Sequence, residues 1–136
     1  MYLFDTNVFS ELRKRRPDPH VDAWAASIDP DTVYLSVLVI GEVEGGIARK
    51  ERVDVIQAQT YRIWLERLVY AHRPRILPVT RRIAEIWGPL NAPNSVPAID
   101  GLLAATALAH DLTLVTRNVR DVARTKVKLL NPFEPA

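Results

Sequence analysis

Short apolar runs alternate with longer helical segments along the whole chain, and this alternation limits the fold more than any other feature. The sequence predicts short strands near residues 2–4, 33–35, 75–79, 113–116 and 127–130. Helical spacing or Ala/Leu-rich composition predicts helices after Asp5, at 20–28, from Ser36 to 50, and at 52–72, 81–90, 98–110 and 118–124. Parallel strands joined through helices need right-handed crossovers. The chain is therefore predicted to form an α/β fold whose mostly parallel sheet is covered on both faces.

Length and composition favour one soluble domain spanning residues 1–136, since 48% of the residues are apolar and can form a core. The chain has no cysteine, which excludes disulfides and thiolate metal sites. The first apolar run is broken by Asp5, and no stretch approaches the roughly 18 apolar residues of a membrane span. We therefore expect a cytoplasmic protein with no membrane partner.

Basic residues are clustered although the net charge is only +2 and the sequence pI is about 9.1. Such clusters suit an anionic partner such as RNA, and the alternative is a set of solvated surfaces. The positions predicted to follow an RNA backbone are Arg13, Lys14, Arg15, Arg16 and Arg117.

Four acidic residues fall at predicted strand ends or on apolar helix faces. Asp5 directly follows the first strand, and Asp121 follows the 113–116 strand after a short turn. Asp100 has only apolar neighbours at helical spacing, so it is predicted to face the core. Glu42 has Leu38 and Val39 behind it and Gly45 and Gly46 ahead, which also predicts an inward face. Because ligands bind beyond the carboxyl ends of parallel strands, these acids are expected to converge there.

Each acid also has a structural explanation. Asp5 can cap the helix that follows it, Asp100 suits the positive end of a helix dipole, and Asp121 suits a surface turn. Glu42 on an apolar face is the hardest to explain in this way. Convergence of all four residues at one edge of the sheet favours a functional site.

Buried carboxylates that converge raise one another's pKa and destabilise the fold unless a cation offsets their charge. An all-oxygen ligand set suits Mg²⁺ or Mn²⁺, and the three histidines lack the spacing of a zinc site. The four acids are therefore predicted to bind the metal. Polar residues expected to orient the carboxylates or hold water are Thr6, Asn7, Ser36, Thr116 and Asn118.

Four segments, in this order, resemble the PIN-domain ribonucleases, and specifically the VapC-type toxins of bacterial toxin–antitoxin pairs in the FitB-like branch. They are YLFDTNV at 2–8, the segment from Ser36 through Glu42 to Gly46, DGLLAATA at 100–107, and LVTRN at 114–118 with Asp121. Any one of these motifs is common, whereas the four together are fairly specific. One departure is Gly101, where the family more often has Ala.

The resemblance implies a three-layer α/β/α sandwich, Mg²⁺- or Mn²⁺-dependent cleavage of RNA, and a homodimer. It also implies inhibition by a cognate antitoxin, a VapB- or FitA-like DNA-binding protein whose tail enters the active site. The acids of the family map onto Asp5, Glu42, Asp100 and Asp121. Family members vary between the positions of Asn118 and Asp121, so either residue can supply the fourth contact.

Two other functions share some of these features with a ribonuclease toxin. A phosphohydrolase with Asp5 as a covalent nucleophile would carry a second Asp two residues later, where this chain has Asn7. The other alternative is a catalytically weak, PIN-like nucleic-acid-binding or regulatory module, against which the complete acid set argues. The 52–72 helix, with Tyr61 and Trp64, is predicted to carry more apolar surface than the core can cover.

Overall fold

Five short strands form one parallel sheet in the computed structural model, which describes residues 1–135. The strand order is β3-β2-β1-β4-β5, and every neighbouring pair is parallel. The strands are β1 (Tyr2–Phe4), β2 (Val33–Ser36), β3 (Ile76–Leu77), β4 (Thr113–Val115) and β5 (Leu129–Leu130). This topology confirms the predicted α/β class and the parallel sheet.

Helices occupy the connections between the strands. They are α1 (Thr6–Arg13), α2 (Pro19–Ala26), α3 (Val37–Glu51), α4 (Val55–Ala71), α5 (Arg81–Leu90), α6 (Ala98–His110) and α7 (Val119–Val122). The connections from β1 to β3 run in one direction across the sheet, and those from β3 to β5 run in the other. Right-handed crossovers therefore place α1–α4 on one face and α5–α7 on the opposite face, which gives the three-layer sandwich.

The structure shortens several predicted elements for local reasons. α4 begins at Val55 because Asp54 caps it and accepts from the Gln57 amide at 3.0 Å. β3 ends before Pro78, which has no N–H to donate to a neighbouring strand. The predicted 89–97 loop begins later, since Pro89 lies inside α5. No helix within residues 1–135 is both long and apolar enough to cross a membrane.

The core lies where the sheet meets the inner faces of the helices, and Leu3, Leu35 and Leu114 are buried in its centre. On α6 the predicted core stripe is confirmed for Leu103, Ala104 and Ala107, while Leu108 is exposed. β1 lies between β2 and β4, at the point where the direction of the connections reverses. In sheets of this type, a crevice for ligands opens at that point beyond the carboxyl ends of the strands.

Candidate active site

Asp5 lies at the carboxyl end of β1, and its side chain is only 5% exposed. Its Oδ1 accepts from the Thr6 amide at 2.7 Å, so Asp5 does cap α1. Its Oδ2 accepts from Thr116 Oγ1 at 2.7 Å and from Asn7 Nδ2 at 3.2 Å. The carboxylate is therefore held in a fixed orientation at the crevice between β1 and β4.

Thr116 follows β4 and links the two sides of this crevice. Its buried hydroxyl donates to Asp5 and accepts from the Asn118 amide at 3.0 Å. Asn7 also spans the crevice, since its Oδ1 accepts from the Arg117 amide at 3.3 Å. The structure thus brings three of the predicted supporting residues, Asn7, Thr116 and Asn118, into one network around Asp5.

Glu42 reaches the site from α3, but its predicted burial is wrong because the side chain is exposed. The buried stripe of α3 consists of Val39, Val43 and Ile47, one position further along the helix. Thr6 Oγ1 donates to Glu42 Oε1 at 2.5 Å, which joins the start of α1 to α3. Glu44, two residues further along α3, forms an ion pair with Arg62 at 2.7 Å.

Asp100 lies in the first turn of α6 and is partly buried. Burial, as the largest cause, and the charges of Asp5, Asp121 and Glu42 together raise the pKa of its carboxyl to about 6. The nearby Asn118 side chain acts in the opposite direction. Because all three carboxylates act on Asp100, the structure does bring the four predicted acids into one electrostatic site.

Asp121 and Asn118 both lie near Asp100 and are both exposed. Asp121 belongs to the first turn of α7, and its amide donates to the Asn118 carbonyl at 3.2 Å. Asp121 contributes a negative charge, whereas Asn118 contributes a neutral donor. The two residues therefore have different effects on Asp100.

The acid cluster has no cationic partner among the described residues. Within residues 1–135, no Lys or Arg side chain forms an ion pair with any of the four acids. Nor do any three His, Asp or Glu side chains in the described chain converge closely enough to form a ready ligand set for one metal ion. The site is thus a group of neighbouring carboxylates whose negative charge has no paired cation in the described chain. Their oxygens do not converge on one point.

The fold and the ordered acid cluster can be compared with those of known proteins. A family profile described as the PIN domain matches residues 2–128. The chain belongs to the PIN-domain family. It is 32% identical over 142 residues to Toxin FitB of Neisseria gonorrhoeae, covering 98% of this chain and 99% of that protein. It is also 32% identical over 140 residues to VapC ribonuclease Y4jK of Sinorhizobium fredii, covering 100% of both.

Comparison with solved structures leads to the same family. The crystal structure of FitAcB from Neisseria gonorrhoeae matches this PIN domain with a TM-score of 0.90 at 30% identity, covering 99% of this chain and 100% of that one. A structure of FitAB bound to an IR36 DNA fragment also gives a TM-score of 0.90, at 29% identity and with 100% and 98% coverage. The predicted membership of the VapC-type, FitB-like toxins is confirmed.

Ser36 has a different position in the PIN domain from the other supporting residues. It is fully buried, and its Oγ accepts from the Leu38 amide at 3.0 Å. Within residues 1–135, no hydrogen bond joins Ser36 to the four acids. Its observed role is the N-cap of α3, which fixes the start of the helix that carries Glu42.

The basic residues predicted to bind RNA are dispersed in the PIN domain. The end of α1 lies eight residues, or roughly 12 Å, from its start at the acid cluster. Lys14 pairs with Glu11 at 2.9 Å, whereas Arg15 and Arg16 are exposed beyond the helix. The Arg117 guanidinium lies 4.5 Å from the centroid of the Phe133 ring, while its backbone amide donates to Asn7 at the crevice. Of the five basic residues predicted to bind RNA, Arg117 is the one that directly follows a crevice residue, Thr116. Its contact with RNA stays a prediction.

Arg13 contributes to a groove that sequence reasoning missed. Its guanidinium lies 4.4 Å from the Tyr61 ring centroid and 5.7 Å from that of Trp64. One cavity of about 230 Å³ extends from Thr6 and Glu42 to these aromatic residues. Trp64 and Arg13 also line an adjoining, more apolar cavity of about 270 Å³, whose other walls include Phe9, Leu12, Ile28 and Leu68. The groove formed by these two cavities begins at the acid cluster.

The groove changes the interpretation of α4. Tyr61 and Trp64 were predicted to exceed what the core can cover, but both are partly buried and pack against it. The exposed apolar side chains of this helix are instead Val55, Ile56, Ile63 and Tyr70.

Packing against Trp87 explains why residue 101 is a glycine, which the sequence alone did not reveal. Gly101 is buried in α6 directly after Asp100, and a Cβ there would lie 3.1 Å from Trp87 Nε1 and 3.2 Å from Trp87 Cδ1. The absence of a side chain lets the Trp87 indole pack on the first turn of α6. The glycine thus permits close packing directly behind Asp100.

Proposed function

We propose that this PIN domain is a divalent-metal-dependent endoribonuclease and the toxin of a type II toxin–antitoxin pair. The observation that carries the proposal is the position of Asp100 among three other carboxylates. None of these four acids has a cationic partner in the described chain. Such a cluster is costly to maintain unless it binds a cation. The full-length relatives named as a toxin and a VapC ribonuclease support the reaction and the biological role.

The donor set suits Mg²⁺ or Mn²⁺. Asp5, Glu42, Asp100 and Asp121 offer only hard oxygen atoms. The pKa of Asp100 is raised by burial first and then by the negative charges of the other three acids, and a divalent cation would offset those charges. When bound, the cation supplies Lewis-acid chemistry, activating water and stabilising the charge that develops on the phosphate. These four residues are the ones that would hold the cation.

The surrounding residues prepare the carboxylates for this role. Thr116 and Asn7 fix the orientation of Asp5, and Thr6 fixes Glu42, so both acids are held in place without a neutralising charge. Asn118 donates towards Asp100 and favours its ionised form. An exposed crevice fits an unpaired RNA strand, whose phosphates are accessible.

The proposal predicts RNA cleavage that depends on the divalent cation. Antitoxin-free protein is expected to cleave a structured RNA with single-stranded loops when Mg²⁺ or Mn²⁺ is present, and EDTA should abolish the cleavage. Gel analysis of end-labelled RNA, with re-addition of excess Mg²⁺ as the recovery control, measures both effects. Undiminished cleavage in EDTA would contradict the metal requirement. Failure to cleave any of several RNAs with either cation would favour the binding or regulatory module instead.

The groove described above fits the tail of an antitoxin. It joins the acid cluster to an apolar cavity, so one peptide can place apolar side chains beside Trp64 and a polar or basic side chain near Glu42. The FitAB structure, solved with DNA, is consistent with such a partner. We propose that a small DNA-binding antitoxin, encoded next to this gene, occupies the groove. A homodimer stays a prediction from the family resemblance.

Trp64→Ala tests this assignment. Removing an aromatic wall of the groove is expected to weaken antitoxin binding by about 30-fold, equivalent to about 2 kcal/mol. Isothermal titration calorimetry with the purified neighbouring gene product measures the Kd. Tyr70→Ala is the matched control, since Tyr70 is an aromatic residue on the same helix but is 70% exposed and lines neither cavity. Equal affinity for the wild type and folded Trp64→Ala would place the antitoxin elsewhere.

A further inference from the structure

A second depression adjoins the acid cluster on the side away from the groove. It has a volume of about 440 Å³, and we name it the α3 trough. The residues that line it are Val37, Leu38, Gly41, Glu42, Gly45, Arg49 and Ile99. Glu42 forms one wall, and Ile99 directly precedes Asp100. The trough therefore opens onto two of the four acids.

The floor of the trough is helix backbone because two residues there have no side chain. A Cβ at Gly41 would meet nothing within 4 Å, and a Cβ at Gly45 would meet only Arg49 Nη1, at 3.5 Å. The Arg49 guanidinium therefore lies over the helix at the far end of the trough. An extended ligand can approach the helix closely between Glu42 and Arg49.

Arg49 presents a charge that the described chain does not use. It lies seven residues after Glu42 on the same side of α3, roughly 10 Å along the helix axis. Within residues 1–135 it forms no ion pair, whereas Arg62, which packs beside the same helix, is paired with Glu44. The exposed guanidinium is thus available to an anion that extends from the acid cluster.

We propose that Arg49 binds a phosphate of the RNA strand a few nucleotides from the cleaved bond, with the strand running along the α3 trough. This inference rests on the proposed ribonuclease function and adds a residue that determines substrate binding. A planar guanidinium suits phosphate oxygens, and the bare helix floor leaves room for the sugar–phosphate backbone. A chain of phosphates can be bound at the acids through the cation and at Arg49 directly. A neutral or basic partner would gain nothing from this positive charge.

The test measures cleavage of single-stranded oligoribonucleotides of increasing length by the wild type, Arg49→Gln and Arg49→Lys. The ratio of variant to wild-type KM is expected to grow as the RNA is extended on one side of the cleaved bond. For Arg49→Gln it should reach about 10-fold, with the effect on KM rather than kcat. Arg49→Lys should restore part of the affinity, since it keeps the charge but not the planar fork. In a plot of log KM against log salt concentration, the slope should be smaller by about one for Arg49→Gln than for the wild type.

Arg52→Gln is the matched control, because Arg52 is exposed at the end of the same helix and does not line the trough. Equal length and salt dependence for the wild type and Arg49→Gln would overturn the proposal while leaving the ribonuclease function intact. Fluorescence anisotropy with labelled RNA in EDTA, in an Asp100→Asn background, gives a readout that needs no cleavage. In that background we expect Arg49→Gln to bind the RNA more weakly than the protein that keeps Arg49. Equal binding of the two proteins would overturn the proposal. A change of oligomeric state by light scattering in Arg49→Gln would also overturn it, in favour of a second copy covering the trough.

Discussion

Asp100→Asn is expected to stabilise the metal-free protein while reducing RNA cleavage by at least about 100-fold, since even residues that only orient metal ligands contribute 10- to 100-fold. The stabilisation follows from the crowding of carboxylates. Asp5, Asp121 and Glu42 all disfavour the ionised form of Asp100, and burial disfavours it more. The neutral amide removes this repulsion. After solvent screening of the partly exposed group, the expected gain at neutral pH is on the order of 1 kcal/mol.

The raised pKa of Asp100 determines how the stability gained by Asp100→Asn changes with pH. The pKa of Asp100 is about 6 in the folded protein and near 3.8 in the unfolded chain, so the folded state binds the proton more tightly. The stability of the metal-free wild type should therefore decrease as the pH rises from about 4 to about 6. The advantage of Asp100→Asn should be complete above pH 6 and vanish below about pH 4. Divalent cation binding should weaken as the pH falls through 6, because the proton competes for the carboxylate.

Thermal unfolding in EDTA across this pH range measures the stability, and RNA cleavage in Mg²⁺ measures the activity. Asp22→Asn is the matched control, since Asp22 also lies in the first turn of a helix but is exposed and outside the acid cluster. Any loss of helix-dipole interaction should be similar in the two variants. A lower melting temperature for Asp100→Asn than for Asp22→Asn at neutral pH would contradict the repulsion that defines the site.

Asp5→Asn is expected to reduce RNA cleavage by at least about 100-fold without unfolding the protein. An asparagine can still accept from the Thr6 amide and cap α1, because Asn is among the best N-cap residues. The Thr116 hydroxyl can act as donor or acceptor, so its contact with position 5 can also be kept. The main change is the loss of a negative charge from a cluster that is proposed to hold the cation.

Asp18→Asn controls for the capping role, since Asp18 caps α2 by accepting from the His20 and Val21 amides and lies outside the cluster. Circular dichroism should show both variants folded, and only Asp5→Asn should lose cleavage. Mn²⁺ titration followed by calorimetry gives a second measure, in which Asp5→Asn should bind the cation more weakly than Asp18→Asn. A folded Asp5→Asn variant with wild-type cleavage would remove Asp5 from the site.

Much of the site was predictable because it depends on local patterns. A strand of three residues followed by Asp must place that Asp at the carboxyl edge of a parallel sheet, which is where Asp5 lies. The apolar neighbours of Asp100 predicted an inward position, and the residue is partly buried in the first turn of α6. Thr116 and Asn118 could be predicted in the same way, from their position after β4.

Glu42 shows why such patterns can fail. Two of the four neighbours that suggested an apolar face are glycines, which contribute no apolar side chain to a stripe. The buried stripe is centred on Val39, Val43 and Ile47, so Glu42 lies one position, or roughly 100°, away from it. The groove and the α3 trough were not predictable, because each depends on how several helices pack together.

The positions of the four acids along the chain also bear on synthesis of the protein. Asp5 and Glu42 precede β3, whereas Asp100 and Asp121 follow it, and the two pairs meet only when β4 inserts beside β1. A polypeptide still growing on the ribosome therefore holds only half of the cluster until synthesis reaches Asp100, and it holds all four acids only after Asp121. The order of the strands thus delays assembly of the proposed RNA-cleaving centre until β4 has been synthesised, so a shorter nascent chain carries no such centre beside the ribosomal RNA.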